Sequence, residues 1–415
     1  MALVSERSIW YIHPYAGGPG IGRYDRPYHL ARAWAAAGQD SVILTAAHHH
    51  LLDVPRPAGV ETVHGARYEF LATPAYTGNG AGRLANMAAF TFQLVRQADR
   101  LARDHGVPAM VVTSSPHPYA FLAGRRLARR FGARCVFEVR DLWPLSLVEL
   151  AGVRASHPLV RFTGWLERQA YRTSDDVVSL LPCTQEHMRA AGLDGARWHY
   201  IPNGVADPSA TGDLPDSDAA RQVRAWRAEG RAVIVYAGAM GRPNHVGTLV
   251  QAMAQDGPRQ LAAAVIVGRG ELQAELRAQV EALGLQGHVR IFDQVPKAAV
   301  QRLLREASAG YISLRPEPIF RFGVSPNKLF DYMQAALPVL FAVRAGNDPV
   351  AECGCGISVD PGDVQAIAGA ITRLARLPEA ERAAMGRRGE AHVARHHGYD
   401  ALAAAYLQLL AKGAA

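Results

Sequence analysis

Short apolar runs alternate with amphipathic stretches along almost the whole chain. Residues 8–13 (SIWYIH), 41–45, 110–113, 134–139 and 176–181 read as strands. Between them, 26–37 and 154–172 carry helical periodicity. In the second of these, Leu159, Phe162, Trp165, Leu166 and Tyr171 recur on or near one face, which predicts a helix packed on a core. The pattern restarts near residue 230, with strands at 232–238, 261–267, 289–292, 309–314 and 339–342. Residues 366–411 read as mostly helical, and 399–410 has an apolar pattern suited to packing. Strands that are apolar throughout, separated by helices, predict parallel sheets covered on both faces, so the fold class is α/β with two doubly wound domains. The junction lies near Asn203-Gly204, a pair that tolerates positive φ, followed by a Pro-, Asp- and Gly-rich linker at 206–219. In that linker Asp216-Ser217-Asp218 precedes a helix and reads as capping charge rather than a metal motif.

Length agrees, since 415 residues exceed one core and suit two domains of about 200 residues each. A composition 49% hydrophobic and 20% charged is that of a globular α/β protein. The net charge of +8 favours anionic partners: nucleoside diphosphates, lipid diphosphates or an anionic membrane face. No basic run with interleaved aromatics points to nucleic acid. Cys135, Cys183, Cys353 and Cys355 form neither a disulfide framework nor a zinc framework. No apolar run reaches ~18 residues, and the N-terminus enters a strand without a signal-peptide pattern. The expected location is the cytoplasm, with peripheral contact at the inner membrane surface open.

Candidate chemistry gathers in the loops after strands, where open α/β sheets hold ligands. After the first strand, residues 14–24 (PYAGGPGIGRY) form a glycine-rich turn with Gly17 and Gly18. Its spacing is not G-x-G-x-x-G, and no acid closes the second strand, so the pattern speaks against NAD. The run His48-His49-His50 reads as a loop end, because three adjacent side chains cannot converge on one metal. His117 follows the 110–113 strand, and Arg140-Asp141 follows 134–139. In the second half, Arg242 is placed to pair with a phosphate. Gly268 follows the 261–267 strand, and Phe292 and Gln294 sit at the end of 289–292. Residues 323–340 (GVSPNKLFDYMQAALPVL) read as loop, helix, turn and buried strand, with Ser325 or Asn327 as cap. The free N–H groups of such a helix start suit a phosphate, Lys328 adds positive charge, and Asp331 could accept two hydroxyl donors from a ribose. An ordinary capped surface helix with solvated charges has the same spacing.

The stretch Ser325-Pro326-Asn327-Lys328-Leu329-Phe330-Asp331-Tyr332-Met333, with Pro338-Val339, resembles the nucleotide-sugar segment of the family 4 retaining glycosyltransferases. Within them it resembles the branch that builds bacterial surface polysaccharides (O-antigen and capsule), including N-acetylfucosamine transferases. The Arg140-Asp141-Leu142-Trp143-Pro144 turn and the Ile201-Pro202-Asn203-Gly204-Val205 signature resemble the same branch, so the likeness covers nearly the whole chain. It departs at two positions: Gly323 stands where the broader family has the first of two glutamates, and Leu337 replaces a glycine.

The resemblance implies a GT-B fold, two Rossmann-like domains facing a central cleft. It implies residues 1–203 as the acceptor domain, with a last helix near 398–415 returning to it, and 204–397 as the donor domain. It implies transfer from a nucleoside diphosphate sugar (UDP-sugar favoured) to a saccharide or polyprenyl-diphosphate-linked acceptor, with retention and without a metal or other cofactor. His117, Arg140 and Asp141 fall in the catalytic region. Gly17, Gly18, Arg242, Gly268, Phe292, Gln294, Gly323, Ser325, Asn327, Lys328 and Asp331 fall to the donor. Tyr68, Tyr76 and Arg83 are acceptor-side candidates. A sugar-nucleotide epimerase of the same frame, or a non-catalytic nucleotide-sugar-binding subunit, is the alternative, and Gly323 is the feature that favours the latter.

Overall fold

The computed structural model describes residues 7–78, 80–206 and 214–412. The chain divides into two compact units, Met1–Gly204 with Tyr399–Ala415, and Val205–Gly398. Parts of the expected linker (207–213) and of the C-terminal segment (413–415) lie outside the described residues.

Among the described residues, the first unit holds eight strands: β1 Ser8–Ile12, β2 Ser41–Ala46, β3 Gly59–Val63, β4 Ala66–Leu71, β5 Pro108–Ser115, β6 Arg134–Val139, β7 Asp176–Ser179 and β8 Trp198–Tyr200. They form one sheet in the order β3-β4-β2-β1-β5-β6-β7-β8. All neighbours pair in parallel except β3 and β4, which are antiparallel. The chain runs from β1 to one side through β2 and returns to the other at β5, so the strand order reverses beside β1. Four helices matter here: α1 Arg26–Ala36, α2 Ala81–Arg96, α3 Phe121–Phe131 and α4 Pro158–Thr173.

The helix expected at 154–172 starts later, at Pro158, where His157 Nδ1 accepts from Leu159 N at 3.2 Å. Its core face is also narrower than its apolar periodicity predicts. Val160, Leu166 and Tyr171 are buried, but Phe162 and Trp165 stand in solvent. Strands β3, β4 and β8 have no counterpart among the sequence-predicted elements. β3 is short, polar and only partly buried, so it lacks the apolar run that betrays a central strand.

A polar knot lies inside this unit. Arg26, 1% exposed, donates to the Glu138 carboxylate through Nε at 3.2 Å and Nη2 at 3.1 Å. Tyr11 donates to Glu138 at 2.6 Å, Ser114 at 2.5 Å, and Tyr406 of the C-terminal helix (Tyr399–Lys412) donates as well. Arg26 also donates to the carbonyls of Pro202 (2.6 Å) and Ile201 (3.3 Å). Every charge in the knot is paired, which lets it be buried. The same C-terminal helix covers α1, with Trp34 Nε1 donating to the Ala403 carbonyl at 3.2 Å.

The second unit holds β9 Ala232–Ala237, β10 Ala262–Val267, β11 Val289–Phe292, β12 Ala309–Ser313, β13 Val339–Ala342 and β14 Gly356–Val359. All pair in parallel, in the order β11-β10-β9-β12-β13-β14. Val233, Val235 and Ala237 enter one hydrophobic cluster, while Ala232, Ile234 and Tyr236 enter the other. That two-sided burial is why β9 reads as an unbroken apolar run. The order reverses beside β9, between β10 and β12. Asp216-Ser217-Asp218 is a helix start: Ser217 Oγ accepts from Ala220 N at 3.2 Å, and the two carboxylates pair with arginines of the same helix.

Candidate functional site

In the second unit, the ends of β9, β10 and β12 meet the start of α5, Asn327–Gln334. Pro326 occupies the cap position, and no side chain caps the helix, so neither Ser325 nor Asn327 acts as the expected cap. Leu329 N donates back to the Pro326 carbonyl at 3.0 Å, so the helix start offers its open end at Asn327 and Lys328. Leu329, Phe330, Tyr332 and Met333 are buried and fix the helix, and Ala237 N at the end of β9 donates to Tyr332 Oη at 2.9 Å.

Lys328 is held from two sides. Its Nζ donates to Asn244 Oδ1 at 2.6 Å and to Tyr236 Oη at 2.9 Å, and lies 4.5 Å from the Tyr236 ring centre. Burial lowers its ammonium pKa to about 8. A Cβ on Gly238 would come within 3.1 Å of that ammonium. Gly268 has φ +153, and a Cβ there would meet the Gly238 carbonyl oxygen at 1.8 Å. The loops after β9 and β10 thus pack backbone to backbone, which glycine alone permits.

The other donor-side candidates are placed as follows. Arg242 is exposed, with its guanidinium 3.8 Å from Glu271. Gly323 has φ +94, a region a glutamate adopts only with strain. The next residue, Val324, is clamped by Asn347, which accepts from its N–H at 2.7 Å and donates to its carbonyl at 3.1 Å. Asp331 lies on α5, half-buried. Phe292 ends β11, two strands out from β9, and Gln294 is exposed just beyond it. The second unit thus brings Lys328, Gly268 and, through Gly238, the end of β9 together. It adds Tyr236, Asn244 and Asn347, for which the sequence carries no local signal.

In the first unit, the ends of β1, β2, β5 and β6 carry a cluster of aromatic and imidazole groups. His13 stacks on Tyr24 at 4.4 Å and receives Arg140 Nη1 at 3.4 Å. Arg140 lies 3.8 Å above the Tyr24 ring. Tyr15 Oη shares a hydrogen bond with His117 Nε2 at 3.1 Å and accepts from Arg83 Nε at 3.3 Å. His49 and His50 pack their rings against Tyr15, and His50 Nδ1 is 2.9 Å from Tyr76 Oη.

Burial dominates the acid–base character of this cluster. It lowers His117 and His49 to about 3, with Arg83 adding to the effect on His117. It also lowers His13 well below its ordinary value, with Arg140, His49 and His117 contributing. These imidazoles are neutral hydrogen-bonding groups. The Asp141 carboxyl reaches solvent yet is crowded by protein atoms, which raise its pKa, and Arg140 opposes the rise.

His117, Arg140 and Asp141 therefore share one strand-end region with Arg83 and Tyr76. Tyr68 does not, because its hydroxyl is buried, donating to the Gly17 carbonyl at 2.8 Å. Gly17 and Gly18 are needed by the loop itself. A Cβ on Gly17 would meet the Gly22 carbonyl oxygen at 2.4 Å, and one on Gly18 the Tyr68 hydroxyl at 2.6 Å. Sequence reasoning passed over His13, Tyr15 and Tyr24, whose one signal is their place after the first strand. Among the described residues no group of three or more His, Cys, Asp or Glu side chains could hold a metal ion, and no helix is long and apolar enough to cross a membrane.

Two domain families match the chain: "Glycosyl transferase 4-like domain" over residues 20–204 and "Glycosyl transferases group 1" over 231–376. No curated protein matches it. Among solved structures, a sucrose-phosphate synthase from Thermosynechococcus elongatus aligns over 98% of both chains, with TM-score 0.74 and 20% identity. HepE from Anabaena, in complex with UDP and glucose, aligns over 98% of this chain and 100% of its own (0.66, 15%). WaaG, a glycosyltransferase involved in lipopolysaccharide biosynthesis, aligns over 97% and 99% (0.64, 15%). These likenesses establish a fold of two parallel-sheet α/β domains of the GT-B kind.

Proposed function

We propose that this chain, whose residues 20–204 and 231–376 match the glycosyl transferase 4-like and group 1 models, performs a retaining transfer from a UDP-sugar to a saccharide or lipid-linked saccharide in cell-surface polysaccharide synthesis. The enzyme would work in the cytoplasm, peripherally at the membrane. The observation that carries the donor half is Lys328, held between Tyr236 and Asn244 at an uncapped helix start. A leaving nucleoside diphosphate gains negative charge as the glycosidic bond breaks. Groups fixed in advance around it lower that barrier without reorganising. Lys328, the start of α5 at Asn327 and Arg242 supply such positive charge, so no metal is assigned a role. The backbone nest at Gly238 and Gly268 lets the diphosphate approach closely. Asp331 would take the ribose hydroxyls. UDP as the donor nucleotide is supported by the resemblance and by the ligands named for Anabaena HepE.

The acceptor hydroxyl would be placed by the first unit, through Asp141, Arg140 and the neutral imidazole of His117. A neutral imidazole at this pKa orients a hydroxyl and is a weak base, in keeping with retention and against the proton abstraction an epimerase needs. Gly323 does not by itself argue for a non-catalytic subunit, since the loop has a conformation built for glycine.

The test is a thermal-shift panel of nucleoside diphosphates and their sugars, run beside donor hydrolysis, on wild type and Lys328→Ala. Stabilisation by UDP, lost in the variant, with slow hydrolysis of one UDP-sugar is the expected result. Failure of every nucleoside diphosphate to stabilise the protein would overturn the reading.

A further inference from the structure

An apolar groove of about 830 Å3 opens on the first unit between α2, α3 and α4. Leu84, Phe92, Leu122, Leu159 and Phe162 line it, and they are not covered: Phe92 is 63% exposed and Phe162 48%. Arg125, Arg126 and Arg129 of α3 form its rim. These three arginines are the charged residues among those lining the groove. Farther along α3, Arg130 is paired with Asp99 at 2.5 Å, and the one carboxylate of α4, Glu167, is buried and accepts from Tyr171 at 2.8 Å. An exposed apolar patch of this kind marks a binding surface. Guanidinium groups beside apolar surface suit a ligand with a hydrocarbon chain and a phosphate.

The groove also leads somewhere. Its wall residue Tyr119 has its ring 6.3 Å from Phe162 on one side and 5.0 Å from His117 on the other. Next to Leu84 in the groove, Arg83 donates to Tyr15. The strand-end cluster assigned above to the acceptor is therefore one side chain away from the apolar surface, at two separate points.

We infer that the α2–α3–α4 groove binds the hydrocarbon chain of a lipid-phosphate-linked acceptor, with the arginine rim taking its phosphates and the sugar lying at the Tyr15–His117 cluster. This rests on the proposed transferase reading for the sugar's position, but the lipid site itself is tested without turnover. The exposed side chains that make the groove can be changed without touching the core.

The experiment is calorimetric titration of the full chain with farnesyl diphosphate, a soluble isoprenoid diphosphate, in saturating UDP so that the donor site is occupied. Wild type should bind, and farnesol or inorganic diphosphate alone should bind at least tenfold more weakly. Leu122→Glu and the double variant Arg126→Glu/Arg129→Glu should each lose at least tenfold in affinity, with UDP binding and thermal midpoint unchanged. Leu122→Met should bind as wild type does. Lys328→Ala should lose UDP stabilisation and keep farnesyl diphosphate binding, so that failure of the donor reading and failure of this one give different results. Equal affinity in wild type and both groove variants would overturn the inference. So would binding to vesicles of phosphatidylcholine and phosphatidylglycerol without binding to farnesyl diphosphate, or self-association of the chain abolished by Leu122→Glu.

Discussion

The two units place their strand-end chemistry in opposite electrostatic settings. In the second, a single half-buried ammonium is held at a helix start, among glycines that hold the backbone close. In the first, imidazoles and phenols pack edge to face and stay neutral, with Arg140 and Asp141 beside them. One arrangement suits a ligand that brings two negative charges. The other suits a neutral hydroxyl that must be turned, not charged. A similar sheet order, reversing beside the first strand of each unit, supports both. The difference lies in what the loops carry, as expected when function is grafted onto a shared fold.

Acid should separate the two units most strongly. His49 and His117 titrate near 3 when folded and near 6.5 when unfolded, so the unfolded state binds more protons between these values. The contribution of these two histidines is then lost as pH falls below 6.5, at about 1.4 kcal/mol per pH unit for each, or roughly 5 kcal/mol for the pair at pH 4.5, and the raised carboxyl of Glu167 offsets part of it. Five of the six tryptophans (Trp10, Trp34, Trp143, Trp165 and Trp198) belong to this unit, so urea unfolding followed by tryptophan fluorescence at pH 7 and 4.5 reads it. A midpoint independent of pH across that range would remove the contrast.

Lys328→Ala strikes the other side. It should lower kcat/KM for the UDP-sugar by about 10²–10³, the scale of removing one fixed charge-stabilising donor. Steady-state kinetics would check this, and a loss under fivefold would mean that Lys328 does not stabilise the leaving diphosphate. Gly268→Ala asks whether the nest is shape rather than charge. A Cβ 1.8 Å from the Gly238 carbonyl, at φ +153, should cost ~2 kcal/mol of stability in the second unit and weaken UDP, while leaving farnesyl diphosphate binding intact.

The smallest expected effect is on the alkaline side. With Lys328 titrating near 8 in the free protein, a bound diphosphate favours its charged form. UDP affinity should hold steady up to about pH 8 and then fall by up to tenfold per unit. Free of ligand, the sign reverses: between 8 and 10.5 the unfolded state binds the extra proton, so the second unit gains stability as pH rises. Calorimetric titration of UDP at pH 7, 8 and 9 tests the first half, and an affinity that stays flat to pH 9 would show that Lys328 is not at the diphosphate.

Most of the central strands and the helix carrying Lys328 were legible because two-sided burial and helical periodicity leave local marks. The partners of Lys328 were not. Tyr236 and Asn244 lie more than 80 residues away in the chain, and only the pairing of β9 with β12 brings them to α5. The histidine cluster was invisible for the same reason. His13, His49 and His117 end three different strands, and sheet order rather than spacing makes them neighbours. Periodicity misled at Phe162 and Trp165, since an apolar stripe predicts that something covers it without saying what. Gly323, in the loop before α5, could be read as a missing glutamate from sequence. Its positive φ shows a backbone choice instead.

The knot around Arg26 and Glu138 sets a timetable for synthesis. Its last member, Tyr406, leaves the ribosome after the whole second unit has been made. Until then the Glu138 carboxylate lacks one of its donors, and the surface of Trp34 stays uncovered. The domain that begins the chain is the one completed last. A chain cut short before the Tyr399–Lys412 helix would carry a first unit without the Tyr406 donor to Glu138 and without the cover over Trp34.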